Sequence, residues 1–242
     1  MDAGQFELGH DDLQFRRSAT AANVDRIHAM AESVKRQYRA PGRAAAAAET
    51  RARIRRAAAR LFVERGYAAT TMRDVAAAAG VGERTLYDAF ESKAALFGHT
   101  LGVATVGDEE PIAVADRTQI QAAREEADPV AAIATMVAYA TDLLERAGDL
   151  IMVSVEAAGS DADMRAAADA GARATHEVHL AFTSALHARG ALHDGLDATA
   201  AADILYALAS PHLHQLVRRH RGWSRERYQT WLQHLLVHEL LR

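Results

Sequence analysis

The sequence predicts an all-α protein, and its composition is the first reason. Alanine, the residue with the highest intrinsic helix propensity, occurs 56 times among 242 residues. Val, Ile, Phe, Tyr and Trp, which favour strands, are sparse, and only 6% of the residues are aromatic. With 50% hydrophobic residues, the chain can build the core of one large domain or of two smaller ones. This composition argues against β-sandwiches and against enzymes built on a parallel sheet.

Three absences narrow the class of protein further. The chain has no cysteine, which excludes disulfide scaffolds, iron–sulfur sites and cysteine-ligated zinc. Residues 1–12 are acidic and lack the basic and apolar regions of a signal peptide. The longest uncharged apolar run, residues 130–141, is too short to span a bilayer. We therefore expect a soluble, cytoplasmic protein.

The net charge of −4 hides an asymmetry along the chain. Residues 43–100 carry 10 Lys and Arg against 6 Asp and Glu, whereas residues 101–242 carry 12 against 20. A basic segment attached to an acidic one suggests a module that binds a polyanion, beside a separate body. Solvated charged helices would explain the same numbers, so charge alone does not decide.

Composition and helix breakers divide the chain into four regions. Residues 1–43 form an N-terminal extension, expected to be partly disordered, with a helix-compatible stretch over 23–38 that ends before Pro41 and Gly42. Residues 44–104 form a compact run of short helices. Residues 105–128 form an acidic linker that can be partly helical, and residues 129–242 form long amphipathic helices.

Within the last region, glycine, proline and capping residues predict where the helices begin and end. Pro129 suits the first position of a helix that ends near Arg146, and Gly148 should separate that helix from a second piece. The side chains that can cap the following helices are Asp161, Asp197 and Ser224. The breaks between those helices are expected at Gly190, Pro211 and Gly222.

Residues 54–96 carry the pattern of a helix-turn-helix. A first helix with an apolar face ends at Gly66, and Thr71 begins a second helix, where Asp74 can complete a reciprocal cap. Gly80 then permits a left-handed turn into a third helix, and the small side chain of Ala76 lets the two helix axes approach closely. The exposed helix after this turn has the size to enter the major groove of DNA.

The same region resembles a known family. The similarity is carried by the run 66–76, Ala79-Gly80-Val81, Thr85-Leu86-Tyr87, Phe90, Ser92-Lys93 and Leu96. Over about 50 residues without a gap, these residues resemble the DNA-binding domain of tetracycline-repressor-type (TetR/AcrR) regulators. The resemblance implies a ligand-responsive transcriptional repressor, not an enzyme and without a cofactor. It also implies a homodimer that binds a palindromic operator with its N-terminal heads and a small-molecule effector with its C-terminal helices.

The resemblance assigns roles to individual residues of the head. Tyr87 and Lys93 match residues that contact phosphate, whereas Thr71 and Arg73 match positions that touch the DNA backbone at the start of the second helix. Phosphate contacts of this kind fix the register of the protein on DNA, and contacts to base edges specify sequence. The residues that match the positions facing base edges are Glu83, Arg84 and Thr85.

Three departures from the family pattern concern DNA affinity. Gly82 stands where the family usually has a serine N-cap, and the charge of Asp88 opposes that of DNA phosphate. About 45 residues precede the first helix, where the family usually has ten to twenty. Arg39 and Arg43 of this extension can add contacts to phosphate or to the minor groove. A disordered leader or a misplaced start site would explain the extension equally well.

The C-terminal region predicts a dimer interface and a ligand pocket. The last helix has one strongly apolar face, which can form a four-helix bundle with a second copy, an intramolecular core, or both. The residues predicted at the dimer interface are Leu205, Leu208, Tyr228, Trp231, Leu232 and Leu235. The residues predicted to line the pocket, each of which also fits a plain core, are Met136, Tyr139, Leu143, Met152, Val155, Phe182 and Leu186.

Twelve histidines suggest an alternative class, a metal-dependent sensor or hydrolase. Histidine spacings that can share a metal ion occur in the C-terminal region, but no His-Glu-x-x-His run is present. Because isolated histidines on helices are more often surface or core residues, we predict no metal site. The three pairs at suitable spacing are His176/His179, His212/His214 and His234/His238.

Overall fold

A computed structural model describes residues 45–108 and 113–242 of the chain. The described residues form α-helices joined by short turns, without a β-strand, so the predicted all-α class is confirmed. They belong to two compact units, of which the second is Arg53–Arg242. Residues 45–52, the described part of the first unit, are helical. The predicted helix over 23–38 and both candidate arm residues, Arg39 and Arg43, lie outside the described residues.

Four helices form the head of the second unit. Within this unit, helix α1 covers residues 53–69 and so continues past Gly66, where the sequence predicts its end. It is followed by α2 (Met72–Ala79), α3 (Glu83–Ala89) and α4 (Lys93–Val106). Helices α2 and α3 contact each other and form the predicted helix-turn-helix.

The turns of the head follow from its capping residues. Thr71 caps α2 by accepting a hydrogen bond from the backbone N–H of Asp74, whose carboxylate accepts one from the backbone N–H of Thr71. Gly80 ends α2 with φ of 65°, the left-handed conformation that glycine adopts without steric cost. Helix α3 begins at Gly82 without a side-chain cap, as the missing serine predicts.

The C-terminal body contains six further helices. In chain order they are α5 (Thr118–Glu125), α6 (Pro129–Ala157), α7 (Ala162–Ala188), α8 (Ala198–Leu208), α9 (Pro211–Gln215) and α10 (Arg225–Leu240). A single 3₁₀ turn, Val114–Asp116, precedes α5, and a π-helical turn, Leu216–His220, follows α9. Asp161, Asp197 and Ser224 cap α7, α8 and α10 as predicted.

The predicted break at Gly148 is wrong, because α6 runs without interruption from Pro129 to Ala157. Glycine costs roughly 1 kcal/mol of helix propensity relative to alanine, which tertiary packing can offset. At Gly148 the packing partner is His214 of α9, whose Nδ1 lies 3.6 Å from the position a Cβ would take. The glycine therefore marks a close approach between two helices and not the end of one.

The segment predicted as an acidic linker contributes to the core of the body. Ile120 and Ala123 on one face of α5 are fully buried in the same apolar cluster as Ile133 and Leu186. These two residues are three positions apart, so they share one face of the helix and are buried together, whereas Glu125 at its end is exposed. The helical part of 105–128 is thus a packed element of the body.

Helix α6 belongs to both apolar cores of the unit. Ile133 and Met136 near its N-terminus lie in the core of the body, with α5, α7, α8 and α10. Leu150 and Val153 near its C-terminus lie in the core of the head, with Phe62 and other residues of α1 to α4. Because one rigid helix takes part in both cores, the head and the body share a structural element.

An ion cluster fixes the C-terminal segment to the middle of α6. The Glu145 carboxylate accepts hydrogen bonds from Arg218, with Nε 2.5 Å from Oε1, and lies 3.0 Å from His214 Nε2. Hydrogen bonds from Arg218 and His214 lower the pKa of Glu145 to about 2, although burial opposes this shift. The cluster therefore holds α9 and the π-helical turn after it against α6. Burial alone would disfavour the negative charge of Glu145, which Arg218 and His214 stabilise.

Over the described residues, no helix combines the length and apolar character needed to cross a membrane.

Replacing Gly82 by serine should stabilise the protein by supplying the missing cap of α3. A Cβ at this position would meet no atom within 4 Å, and the backbone, with φ of −70°, is open to any residue. We expect Gly82→Ser to raise the free energy of unfolding by about 0.5 kcal/mol in urea denaturation. Gly82→Ala adds the Cβ without the hydroxyl, so equal stability of the two variants would contradict the capping argument.

Glu145→Gln should remove one source of acid sensitivity. Since folding lowers the pKa of Glu145 from 4.5 to about 2, its contribution is present above pH 4.5 and is lost as pH falls towards 2. We expect the variant to lose about 2 kcal/mol of unfolding free energy at pH 7 and to show a flatter profile between pH 5 and 2. Glu156→Gln, an exposed position on the same helix, is the matched control and should retain the wild-type profile.

Candidate nucleic-acid interface

Helix α3 presents one continuous polar face to solvent. The Leu86 side chain is fully buried and fixes the rotation of the helix about its axis. With Leu86 inside, the side chains of Glu83, Arg84 and Thr85 are exposed, and Tyr87 is 50% exposed. The four residues predicted to contact DNA from this helix therefore lie on an accessible surface, with the size and polarity that a major-groove helix requires.

The angle between α2 and α3 is set by small and apolar residues. Val75 and Ala76 of α2 are buried, and the N–H of Val81 donates to the carbonyl of Ala76 at 3.0 Å. The absence of a large side chain at Ala76 lets the turn close directly on the end of α2. From the small side chain of Ala76, the sequence predicts that the two helix axes approach closely.

Lys93, the first residue of α4, is held in place by Tyr67 of α1. Its ammonium donates to the backbone carbonyl of Tyr67 at 3.0 Å and lies 4.2 Å from the centroid of the Tyr67 ring. A cation over an aromatic face is attracted by the ring quadrupole. Tyr67 in turn packs against Phe62 and Phe97, with ring centroids 5.8 and 5.5 Å away. Since an ammonium has three donors, Lys93 can keep this bond and still bind a phosphate.

Thr71 and Arg73 occupy the start of α2, both exposed. The Thr71 hydroxyl lies 2.6 Å from Asp74 Oδ2 in the capping box, and this bond lowers the pKa of Asp74. Arg65 of α1 approaches the same carboxylate at 4.0 Å. The Thr71 side chain is therefore committed to the cap, which leaves the exposed guanidinium of Arg73 as the stronger candidate for a backbone contact.

Asp88 pairs with Arg84, the best candidate for base recognition. Its carboxylate accepts a hydrogen bond from Arg84 Nε at 3.2 Å, across one turn of α3. Both side chains are mostly exposed, so the pair contributes little to stability. It does orient the guanidinium along the helix, where Asp88 competes with a base for Arg84 Nε.

One of the seven residues predicted to line a ligand pocket, Tyr139, lines a cavity beside α6. Met136, Phe182 and Leu186 are buried in the core of the body, and Leu143 packs against that core. Met152 is buried and Val155 half-buried further along α6. A cavity of about 490 Å³ beside α6 includes only Tyr139 from the predicted set. For the other six residues the ligand pocket stays a prediction, because helical periodicity marks buried faces and does not separate packed from hollow regions.

The predicted dimer interface divides into two groups. Leu205, Tyr228 and Leu232 are buried within the single chain, so for these residues the expectation of an intersubunit contact is corrected. Helix α10 packs against α6 and α8, and α8 packs against α7, so these apolar faces are used inside the protein. The half-buried members, which retain accessible surface, are Leu208, Trp231 and Leu235.

The paired histidines lie in separate environments. His214 contacts Glu145, His176 lies 3.0 Å from Asp203, and burial lowers the pKa of His179 to about 4. His238 lies 3.3 Å from the neighbouring Glu239 on the surface. Over residues 45–108 and 113–242, no three side chains of the kinds that bind metals converge.

Two residues that matter for the site were not found from the sequence. Tyr67 supports Lys93 through its ring and carbonyl; it lies in the run 66–76 that carries the family resemblance, but no role was predicted for it. Arg146 of α6 donates to the carbonyls of Ala104 and Thr105 at the end of α4. No local pattern predicts that contact, because it joins residues about 40 positions apart.

Comparisons with known proteins agree with this geometry. Residues 54–100 match the family profile described as bacterial regulatory proteins of the tetR family. No curated protein sequence matches the chain.

Solved structures share the fold at low sequence identity. NalD, the secondary repressor of the MexAB-OprM multidrug efflux pump in Pseudomonas aeruginosa, is 22% identical, with a TM-score of 0.61 over 80% of this chain and 97% of NalD. The MbdR regulator from Azoarcus sp. CIB is 21% identical, with a TM-score of 0.62 over 80% of this chain and all of MbdR (100%). SmeT, solved in a complex with triclosan, is 20% identical, with a TM-score of 0.64 over 80% of this chain and 92% of SmeT.

The matched profile and the fold confirm the resemblance predicted from the sequence. The profile covers the whole helix-turn-helix, including Tyr67, Arg84 and Lys93. Residues 54–100 match the tetR-family profile over the helix-turn-helix, and the chain has an all-α fold similar to those of NalD and MbdR.

Proposed function

We propose that the protein is a ligand-responsive repressor that binds a palindromic operator as a homodimer and is released by a small-molecule effector. The observation that carries the proposal is the exposed face of α3, held by buried Leu86 at the surface of a TetR-family head. The relatives named above, a repressor of an efflux pump and a regulator bound to triclosan, support a function of this class.

The proposed contacts to DNA divide by their chemistry. Tyr87, Lys93 and Arg73 bind phosphate and position the head, and Thr71 holds the start of α2 in place through its cap. Arg84 donates two hydrogen bonds to a guanine, Glu83 accepts from a cytosine amine, and Thr85 contacts an adjacent base. The arm residues Arg39 and Arg43 add contacts outside the described part of the chain.

The proposed dimer uses the half-buried apolar residues at the surface of α8 and α10. Leu208, Trp231 and Leu235 are half-buried and keep accessible surface, as do Ile204 and Val237 on the same helices. A two-fold axis through this surface would place identical patches face to face. The two heads could then contact successive major grooves, roughly 34 Å apart.

Helix α6 can transmit the effect of effector binding in the body to the DNA-binding head. Because it lies in both cores, a ligand that shifts α6 in the body also shifts Leu150 and Val153 in the head. A conformer with the heads too far apart for one operator would then be favoured by the effector. Reciprocity requires that DNA weaken effector binding by the same factor.

Selection of bound sequences from random double-stranded DNA tests the proposal. We expect a palindrome whose half-sites are about 10 base pairs apart from centre to centre, since two heads then meet successive major grooves. Enrichment of a single asymmetric site would contradict the dimer, and no enrichment would contradict sequence-specific binding.

Variants of α3 should separate phosphate contacts from base contacts on the selected operator. We expect Tyr87→Phe and Lys93→Met to weaken binding to all sequences, whereas Arg84→Ala should cost about 1–3 kcal/mol at one base pair and relax the preference there. A uniform loss for Arg84→Ala would show that it contacts only phosphate.

Asp88→Asn should strengthen DNA binding. The change removes a charge that repels phosphate and releases Arg84 from its intrahelical partner. We expect a gain of several-fold at low salt in a fluorescence anisotropy titration. In an Arg84→Ala background the gain should shrink, and an equal gain in both backgrounds would contradict the competition for Arg84.

A charge at the proposed dimer surface should separate the subunits. We expect Leu235→Glu and Leu208→Glu, combined, to give monomers in light scattering and to lower operator affinity, because like charges would face each other across the two-fold axis. Val63→Glu, at an apolar residue 44% exposed on α1, is the control and should leave the oligomeric state unchanged. A stable dimer in the double variant would contradict this interface.

A further inference from the structure

The cavity of about 490 Å³ lies where the body meets the end of α4. Its wall includes Val106 of α4, Arg117 before α5, and Ala138, Tyr139 and Arg146 of α6. Binding sites for small molecules typically have volumes of roughly 300–1,000 Å³, so this cavity can hold a ligand of that class.

The charged side chains at the cavity are not equivalent. Arg117 makes two hydrogen bonds to the Asp108 carboxylate, at 2.6 and 2.9 Å, so each compensates the other. Asp142 is paired with Arg225 of α10. Arg146 instead donates to the backbone carbonyls of Ala104 and Thr105, at 3.3 and 3.1 Å. Among the described lining residues, it is the charge that no opposite charge balances.

Tyr139 supplies a second polar group at the same wall. Its hydroxyl is buried and has no hydrogen-bond partner within the described part of the chain. Burial raises the pKa of Tyr139, so the phenol keeps its proton and remains a donor at neutral pH. A buried donor without a partner costs free energy that a ligand oxygen can recover. Arg146 and Tyr139 lie one helical repeat of seven residues apart on α6, on the same face.

We propose that this cavity binds a small molecule with one anionic group beside an apolar body, and that Arg146 and Tyr139 hold the anion. Val106, Ala134 and Ala138 offer apolar contact to the rest of the ligand. A carboxylate or sulfonate accepts from a guanidinium and a phenol through separate oxygens. The site favours an anion because Asp108 and Asp142 are already paired with arginines, whereas Arg146 has no opposite charge among the described lining residues.

The position of Arg146 gives ligand binding a consequence for α4, and this step rests on the proposed function. The guanidinium satisfies carbonyls in the last turn of α4, which ends at left-handed Gly107 with φ of 91°. A Cβ added at Gly107 would lie 3.4 Å from Arg146 Nε, so the guanidinium occupies the space beside this glycine. An anion that engages the guanidinium competes with those carbonyls and loosens the end of the helix that begins at Lys93.

Two naphthyl dyes provide matched probes of the cavity. 8-Anilinonaphthalene-1-sulfonate and N-phenyl-1-naphthylamine share an apolar body and a fluorescence response, but only the first carries an anion. We expect Arg146→Met to weaken binding of the sulfonate about tenfold and of the neutral dye less than about twofold. Tyr139→Phe should weaken the sulfonate severalfold and leave the neutral dye unchanged.

Arg165→Met is the matched control variant. Arg165 also donates to backbone carbonyls at a helix end, those of Ala158 at 3.0 Å and Gly159 at 3.5 Å, but it does not line the cavity. We expect this variant to bind both dyes as the wild type does. Equal losses for Arg165→Met and Arg146→Met, or equal losses for the two dyes, would overturn the proposed anion site.

The effect on DNA is measured separately, with the operator obtained by selection. We expect a saturating concentration of the sulfonate dye to lower operator affinity of the wild type, and to have no effect on Arg146→Met at the same concentration. If the dye binds through Arg146 and operator affinity stays constant, the coupling to α4 is wrong and the anion site stands. If no DNA sequence is bound, the proposed function fails, whereas the dye titrations still decide the site.

Discussion

The rest of the structure depends on the continuity of helix α6. Its N-terminal half packs against α5, α7 and α10, and its C-terminal half supplies Leu150 and Val153 to the core of the head. A break at Gly148 would have divided these roles between two independent elements. Because the helix continues, the glycine instead admits His214, and the ion cluster of Glu145, His214 and Arg218 fixes the segment after α8 to the same helix. The body and the head are therefore both built around helix α6.

The DNA-binding face depends on a different set of constraints. Helix α3 has only seven residues and no hydroxyl at its N-cap, so its position comes from burial of Leu86 and from the left-handed turn at Gly80. The aromatic cluster of Phe62, Tyr67 and Phe97 then positions Lys93 beside it. The same cluster lies in the core that α6 completes, which connects the geometry of a phosphate contact with the packing of the body.

Local chemistry was the part of this protein that the sequence could predict. The caps at Thr71, Asp161, Asp197 and Ser224 and the turn at Gly80 depend on residues within a few positions, and each was found. The helix-turn-helix was recognisable because its pattern is short and continuous. The continuity of α6 was not, because the packing of His214 against Gly148 joins residues 66 positions apart in the sequence. The cavity and Arg146 depend on the same kind of distant contact, and periodicity alone cannot tell a buried face from a hollow one.

The role of α6 in both cores can be tested by measuring whether the head and the body unfold together. Both tryptophans of the chain, Trp223 and Trp231, lie in the body, and the chain has no native cysteine. A fluorophore on Glu91→Cys, at an exposed position before α4, would therefore report on the head alone. In a urea titration, the shared helix predicts that tryptophan fluorescence and the head label follow one transition with the same midpoint and slope. A head that unfolds at a lower urea concentration than the body would contradict the role of α6 in both cores.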